Sequence, residues 1–277
     1  MPTKTSLENE NTVQSYSEMG AREYDDPMNL DFLYGGVTKK FLKNVPFSTA
    51  NARVLDIGCG TGFGFDILTS KFDTLDMSGI GIEPAEGMLE LAHKKWGEGS
   101  RFEFLKGSFE NIPLGDLSID RIISTLALHW VKDFDIAVQE MRRVLKDDGR
   151  IDILMIAKDD GANFKKAIVD TQKQHLSFRQ IMKSAVLVQR LTAEPAAKTL
   201  QRHFGGFKVD VTEHRETVYG TFEEHMRWWK ARSTPVISEV KDKEQFFIDL
   251  RVAMERRANG KRIPFDAAFL FITVTGR

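Results

Sequence analysis

Residues 54–62 read Val-Leu-Asp-Ile-Gly-Cys-Gly-Thr-Gly. A short apolar run holding one acidic residue is followed by three glycines at alternate positions, and few folds accommodate that order. It calls for a buried strand that leaves through a turn whose backbone N–H groups can approach a ligand closely, because no Cβ stands in the way. A helix starting near Gly62 adds the partial positive charge of its N-terminus on the same side. The spacing is Asp-x-Gly-x-Gly-x-Gly, whereas dinucleotide binders use Gly-x-Gly-x-x-Gly, with the third glycine one residue later.

Strand and helix patterns alternate from this point. Arg53–Ile57, Ser78–Glu83, Phe102–Leu105, Ile119–Ser124 and Ile151–Ile156 read as strands one to five. Leu30–Leu42 reads as a preceding helix, with Leu33, Val37 and Phe41 at helical spacing and Pro46 after its end. Gly64–Thr69 continues the helix after the glycine turn, and Pro84 suits the first turn of a helix carrying Met88, Leu89, Leu91 and Ala92. Asp133 is placed to cap a helix carrying Ile136, Val138, Met141 and Val144, and residues 146–149 form a turn. Such alternation implies an α/β fold, Rossmann-like, with a mostly parallel sheet and helices on both faces. Residues from about 160 to 200 are helical and amphipathic, Phe207–Val218 alternates as a strand, helices follow near 222–231 and 241–258, and Phe269–Val274 is a final strand.

The 277 residues suit one large domain or one domain with an added cap. Thirty-nine basic and 40 acidic residues leave a net charge of −1, with no basic stripe that would call for nucleic acid or an anionic membrane. The one cysteine, Cys59, excludes an internal disulfide and a cysteine metal cluster, and it reads as a small residue filling a tight turn. The N-terminal stretch is polar, without the apolar core of a signal peptide, and no run of about 18 apolar residues predicts a membrane span. A cytoplasmic location is the expectation. The six histidines lack metal-ligand spacing, so no metal is expected.

The wording Val-Leu-Asp-Ile-Gly-Cys-Gly-Thr-Gly resembles the first motif of class I S-adenosylmethionine-dependent methyltransferases. The order of elements is similar to that family's over most of the chain. The resemblance implies a seven-stranded sheet whose last strand inserts antiparallel, a helical cap between strands five and six at about 160–200, and a methyltransferase domain over 30–277. It also implies that residues 1–29 form a lid, and that S-adenosyl-L-methionine is the cofactor. In that family the glycines border the methionine part of the cofactor, which assigns Asp56, Gly58, Cys59, Gly60 and Gly62 to its site. Glu83, ending strand two 21 residues after Gly62, falls where the family's acidic residue holds the ribose hydroxyls, with Pro84 and Met88 beside it. Where the family often has an aspartate near the adenine, this chain has Ser108, a departure from the pattern, followed by Phe109. Leu126 takes the position whose backbone lies beside the sulfonium, and Tyr24 that of a lid tyrosine over the methionine end.

His129-Trp130 resembles wording in a subgroup that methylates small molecules, among them malonyl-carrier-protein, trans-aconitate and juvenile-hormone-acid methyltransferases. This makes Tyr16, His129, Trp130 and Trp229 candidates for the acceptor pocket, with His129 a candidate catalytic base. The implied function is methyl transfer to a small-molecule acceptor, with a carboxylate among the candidates. The alternative is a non-catalytic protein that keeps the fold as a binding module. Neither the acceptor nor the oligomeric state is legible in the residues.

Overall fold

The computed structural model describes residues 30–47, 52–71, 77–97, 99–183, 189, 191–260 and 262–276. Among these, seven strands form one sheet: β1 (Arg53–Ile57), β2 (Ser78–Glu83), β3 (Phe102–Lys106), β4 (Ile119–Thr125), β5 (Leu145–Ile156), β6 (Lys208–Gly220) and β7 (Ile263–Thr275). Their order is β3-β2-β1-β4-β5-β7-β6. The first five are parallel, and β7 inserts antiparallel between β5 and β6. The strand order reverses between β1 and β4, and open α/β sheets bind ligands at that crevice.

Side-chain alternation along the strands divides the core in two. Val54, Ile123, Leu154 and Phe269 pack on one face with α1 (Tyr34–Asn44), α2 (Phe63–Lys71), α3 (Glu86–Trp96), α5 (Ala162–His175), α8 (Phe222–Arg232) and α10 (Lys243–Glu255). Leu55, Ile122, Ile153 and Leu270 pack on the other with α4 (Phe134–Val144) and α7 (Ala193–His203). Each fully buried Leu, Ile or Phe contributes roughly 1.5–3 kcal/mol. Local chemistry sets the ends. Val45 is extended before Pro46 and stops α1. Asp133 accepts from the N–H groups of Asp135 and Ile136 and starts α4. Thr221 and Glu224 form a capping box at α8.

The departures from expectation have physical causes. The helix expected from Leu30 breaks at Leu33, whose φ is 45°, and α1 begins at Tyr34. Pro84 stands outside α3, which begins at Glu86 after an extended Ala85. Ile136 faces solvent, while Ala137, Val138, Met141 and Val144 supply the buried face of α4. The turn expected at 146–149 is absorbed into β5 as an irregularity, where the register with β4 shifts between Ile119 and Arg121.

The final strand starts at Ile263, not Phe269, because Ile263–Ala268 pair with Arg215–Gly220 after β5 has ended opposite Phe269. Six residue pairs therefore overhang the carboxyl edge of the parallel strands by about 20 Å of strand. Helices pack on this overhang from both connections. Helix α5, from the β5–β6 connection, lies against β7 and against α10, which comes from the β6–β7 connection. His175 and Asp249 tie α5 to α10 at 2.8 Å. The remaining described helices are α6 (Phe178–Lys183) and α9 (Thr234–Glu239), which touch each other. Helix α7, within the stretch expected as cap, packs instead beside the sheet on α4 and β6.

Candidate cofactor and acceptor site

The glycine turn is fastened to the neighbouring strand. The N–H groups of Gly58 and Cys59 both donate to the Ile82 carbonyl, at 2.8 and 3.1 Å. Gly58, Gly60 and Gly62 have φ of 72°, 56° and 83°, in the region that favours glycine. Space adds a second constraint. A Cβ at Gly58 would lie 2.3 Å from the Ala127 Cβ, and one at Gly62 would lie 2.5 Å from the Trp96 Nε1. The turn is thus clamped between the exit of β4 and the end of α3.

Two buried carboxyls stand at this turn. Asp56, 2% exposed, sits two residues before Gly58. Burial, and then the neighbouring Glu83, push its pKa up to about 8. Glu83, 8% exposed, is turned toward the glycines. Its Oε2 accepts the Gly60 N–H at 3.0 Å and its Oε1 accepts the Ala85 N–H at 2.9 Å. Burial raises its pKa against those two hydrogen bonds. A carboxylate offers about four acceptor positions, so two remain for a ligand. Cys59 lies against the bare backbone of Gly81, 2.7 Å from where a Cβ would be. Burial, followed by the charges of Asp56 and Glu83, raises its thiol pKa, the opposite of an activated nucleophile.

The ends of β3 and β4 complete the row. Ser108 exchanges two backbone hydrogen bonds with Asn111, and Gly107 donates to the Glu83 carbonyl at 3.4 Å, which sets this turn beside the end of β2. Phe109, expected over the adenine face, is folded into the core with Ile82 and Leu128. Leu126 has φ 58°, a left-handed conformation that is strained for a leucine and concentrated at functional sites. Its N–H donates to the Leu154 carbonyl at 2.7 Å. His129 is 2% exposed on a 3₁₀ turn (Leu128–Trp130), with its ring 4.9 Å from that of half-buried Trp130.

Met88 is buried on α3. Trp229, expected in the acceptor pocket, is a core side chain stacked on Phe246, and Trp228 is buried against Phe164 and Tyr34, so each of the adjacent tryptophans finds its own neighbours. Tyr16 and Tyr24 lie outside the described residues. Sequence reasoning missed Asp160, fully buried after β5, whose Oδ2 accepts the Tyr34 hydroxyl at 2.8 Å. The Asp-Gly pair at 160–161 signals a turn, and a turn at a strand's carboxyl end was the available clue. Among the described residues, no group of three or more His, Cys, Asp or Glu is placed to hold a metal ion, and no helix is long and apolar enough to cross a membrane.

Residues 55–153 match the family model of the methyltransferase domain. That span runs from β1 into β5 and holds the carboxyl ends of β1, β2, β3 and β4. The chain is 37% identical over 102 residues to a malonyl-[acyl-carrier protein] O-methyltransferase of Methylococcus capsulatus, covering 36% of each protein. It is 31% identical over 121 residues to a ubiquinone/menaquinone biosynthesis C-methyltransferase of Campylobacter jejuni, covering 43% of this chain and 50% of that one. The chain thus spans between about a third and a half of the length of these relatives. A solved phosphoethanolamine N-methyltransferase of Haemonchus contortus, in complex with S-adenosylhomocysteine, superimposes with a TM-score of 0.63 at 18% identity, covering all of this chain and 61% of that one. The fold is the methyltransferase fold.

Proposed function

We propose that this chain is an S-adenosylmethionine-dependent methyltransferase acting on a small-molecule acceptor. The observation that carries the reading is the pair Asp56 and Glu83. Both carboxyls are buried beside a turn built from bare backbone, and no basic side chain is among the groups that set their ionisation. Glu83 favours a ligand with hydroxyls to donate, and Asp56, once ionised, favours a cationic one.

In this reading Glu83 uses its remaining acceptor positions for the ribose hydroxyls, and the Gly58–Gly62 backbone borders the methionine end. Ser108 lies at the adenine end, and the backbone of Leu126 lies beside the sulfonium. When bound, the cofactor supplies an electrophilic methyl group. The chain's task is to align an acceptor with it and exclude water, and positioning of this kind is worth roughly 7–11 kcal/mol. His129 and Trp130 stand at the exit of β4 as the acceptor-side wall. A carboxylate acceptor is already ionised near neutral pH and needs no base. A hydroxyl or amine acceptor would give its proton to His129. The malonyl-carrier relative is named for O-methylation of an acid, which makes carboxylates the first class to test. The single cysteine suits a reducing cytoplasm.

Calorimetry with S-adenosylhomocysteine tests the cofactor, and absence of binding by the folded protein would end the reading. Transfer of labelled methyl to a panel of small carboxylates, phenols and amines tests the chemistry and separates an enzyme from a binding module.

A further inference from the structure

The structure assigns to Tyr34 and Asp160 a positioning role, resting on the methyltransferase reading above: their buried hydrogen bond holds helix α1 as a strut between the exit of β5 and the glycine turn. Tyr34 opens α1, and Asp160 lies 126 residues away in the loop after β5. Among the described residues, three elements reach the aspartate's carboxyl. Oδ2 accepts from the Tyr34 hydroxyl at 2.8 Å and pairs with the Lys165 ammonium of α5 at 2.9 Å, and Oδ1 accepts the Ala268 N–H of β7 at 3.1 Å. The Lys165 ammonium also donates to the Asp160 carbonyl.

Each partner directly follows a residue in the left-handed region. Leu33, before Tyr34, has φ 45°, and Asp159, before Asp160, has φ 66°. Conformations of this kind persist only where the surroundings over-determine them. The Tyr34 ring is held edge-on by Trp228, Phe265 and Phe269, with centroids at 5.3, 6.0 and 6.1 Å.

The other end of the strut reaches the cofactor side. Lys39, just over one turn along α1, places its ammonium 5.8 Å from the ring centroid of Phe63, the residue next to Gly62. Lys71, ending α2, donates to the Val45 carbonyl just past α1, at 3.1 Å. Helix α1 therefore braces α2 at both ends, while Tyr34 fixes α1 to the loop on which α5 and the overhanging strands converge. A change on the acceptor side that shifts Asp160 is carried to the start of α2, and the reverse holds equally, because coupling between sites is reciprocal.

The test uses Tyr34→Phe, which keeps the ring contacts and removes only the hydroxyl. The S-adenosylhomocysteine Kd is expected to rise roughly 3- to 10-fold. Asp160→Asn combined with Tyr34→Phe should be no worse than Asp160→Asn alone, because the two act through one bond. Ile272→Val, on the opposite face of the sheet, should leave the Kd unchanged. Without ligand, amides of 34–44 and 63–71 should exchange faster in Tyr34→Phe than in wild type. An unchanged Kd with unchanged exchange in α2, or losses that simply add, would overturn the proposal. Should the wild-type protein bind no S-adenosylhomocysteine, the methyltransferase reading fails instead, and exchange in α2 still decides whether the strut exists.

Discussion

The molecule buries acidic side chains at two places in its parallel sheet and treats them in opposite ways. Asp152 on β5 is answered by basic side chains. Arg150 grips it with two hydrogen bonds of 2.7 Å, and the buried Arg121 of β4 stands at 3.4 Å with its guanidinium over the Phe47 ring. Glu83 on β2 is answered by two backbone N–H groups, and burial raises the pKa values of both Glu83 and Asp56 on β1. In the first arrangement the charge is balanced by side chains of the chain itself. On the proposed function, the second receives its positive partner from the ligand.

The contrast predicts different consequences of removing each acid. Asp152→Ala strands Arg121 without its partner and should cost about 3–5 kcal/mol of stability by chemical denaturation. Its effect on cofactor affinity should be negligible while the protein remains folded. A loss below about 1 kcal/mol would mean that the two acids do not differ as described. Glu83→Ala should instead weaken S-adenosylhomocysteine binding by about 1–3 kcal/mol in calorimetry, and an unchanged affinity would remove Glu83 from the site.

The pH dependence of Asp56 sharpens the comparison further. With its pKa held up to about 8, the folded protein keeps a proton that the unfolded chain releases near an ordinary carboxyl value. The stability from that proton is full below the unfolded value and is lost as pH rises toward about 8. Asp56→Asn should flatten that slope in thermal melts across the range. A cationic ligand favours the ionised carboxyl. S-adenosylmethionine, which carries the sulfonium, should therefore gain more affinity than S-adenosylhomocysteine between about pH 6 and about pH 8.5. Equal gains would place Asp56 out of reach of the charge.

What was legible in the sequence was local. Nine consecutive residues, Val54 to Gly62, specify a strand, a turn and the start of a helix, because apolar run, glycine spacing and turn geometry all act over a few residues. Glu83 was legible because its distance along the chain fixes its place on the next strand. The overhang of β6 and β7 was half legible. Phe269–Val274 reads as a buried run, but Ile263–Ala268 is a strand only because β6 lies beside it. Phe109 and Trp229 are aromatic residues whose burial depends on partners far along the chain, Leu128 and Phe246 among them, and no local pattern distinguishes a core ring from one lining a pocket. The Tyr34–Asp160 bond lay beyond reach for the same reason, since the Asp-Gly turn signal names no partner and their meeting is a product of topology.

The place of β7 in the sheet bears on how the protein is made. Every strand of the parallel set after β1 has a neighbour already synthesised when it emerges, but β6 does not, since among the described strands it pairs only with β7. Some 40 residues separate the two, and until the later one arrives the earlier carries a row of unsatisfied backbone groups. Nascent chains stalled in that interval are where misassembly and proteolysis should concentrate.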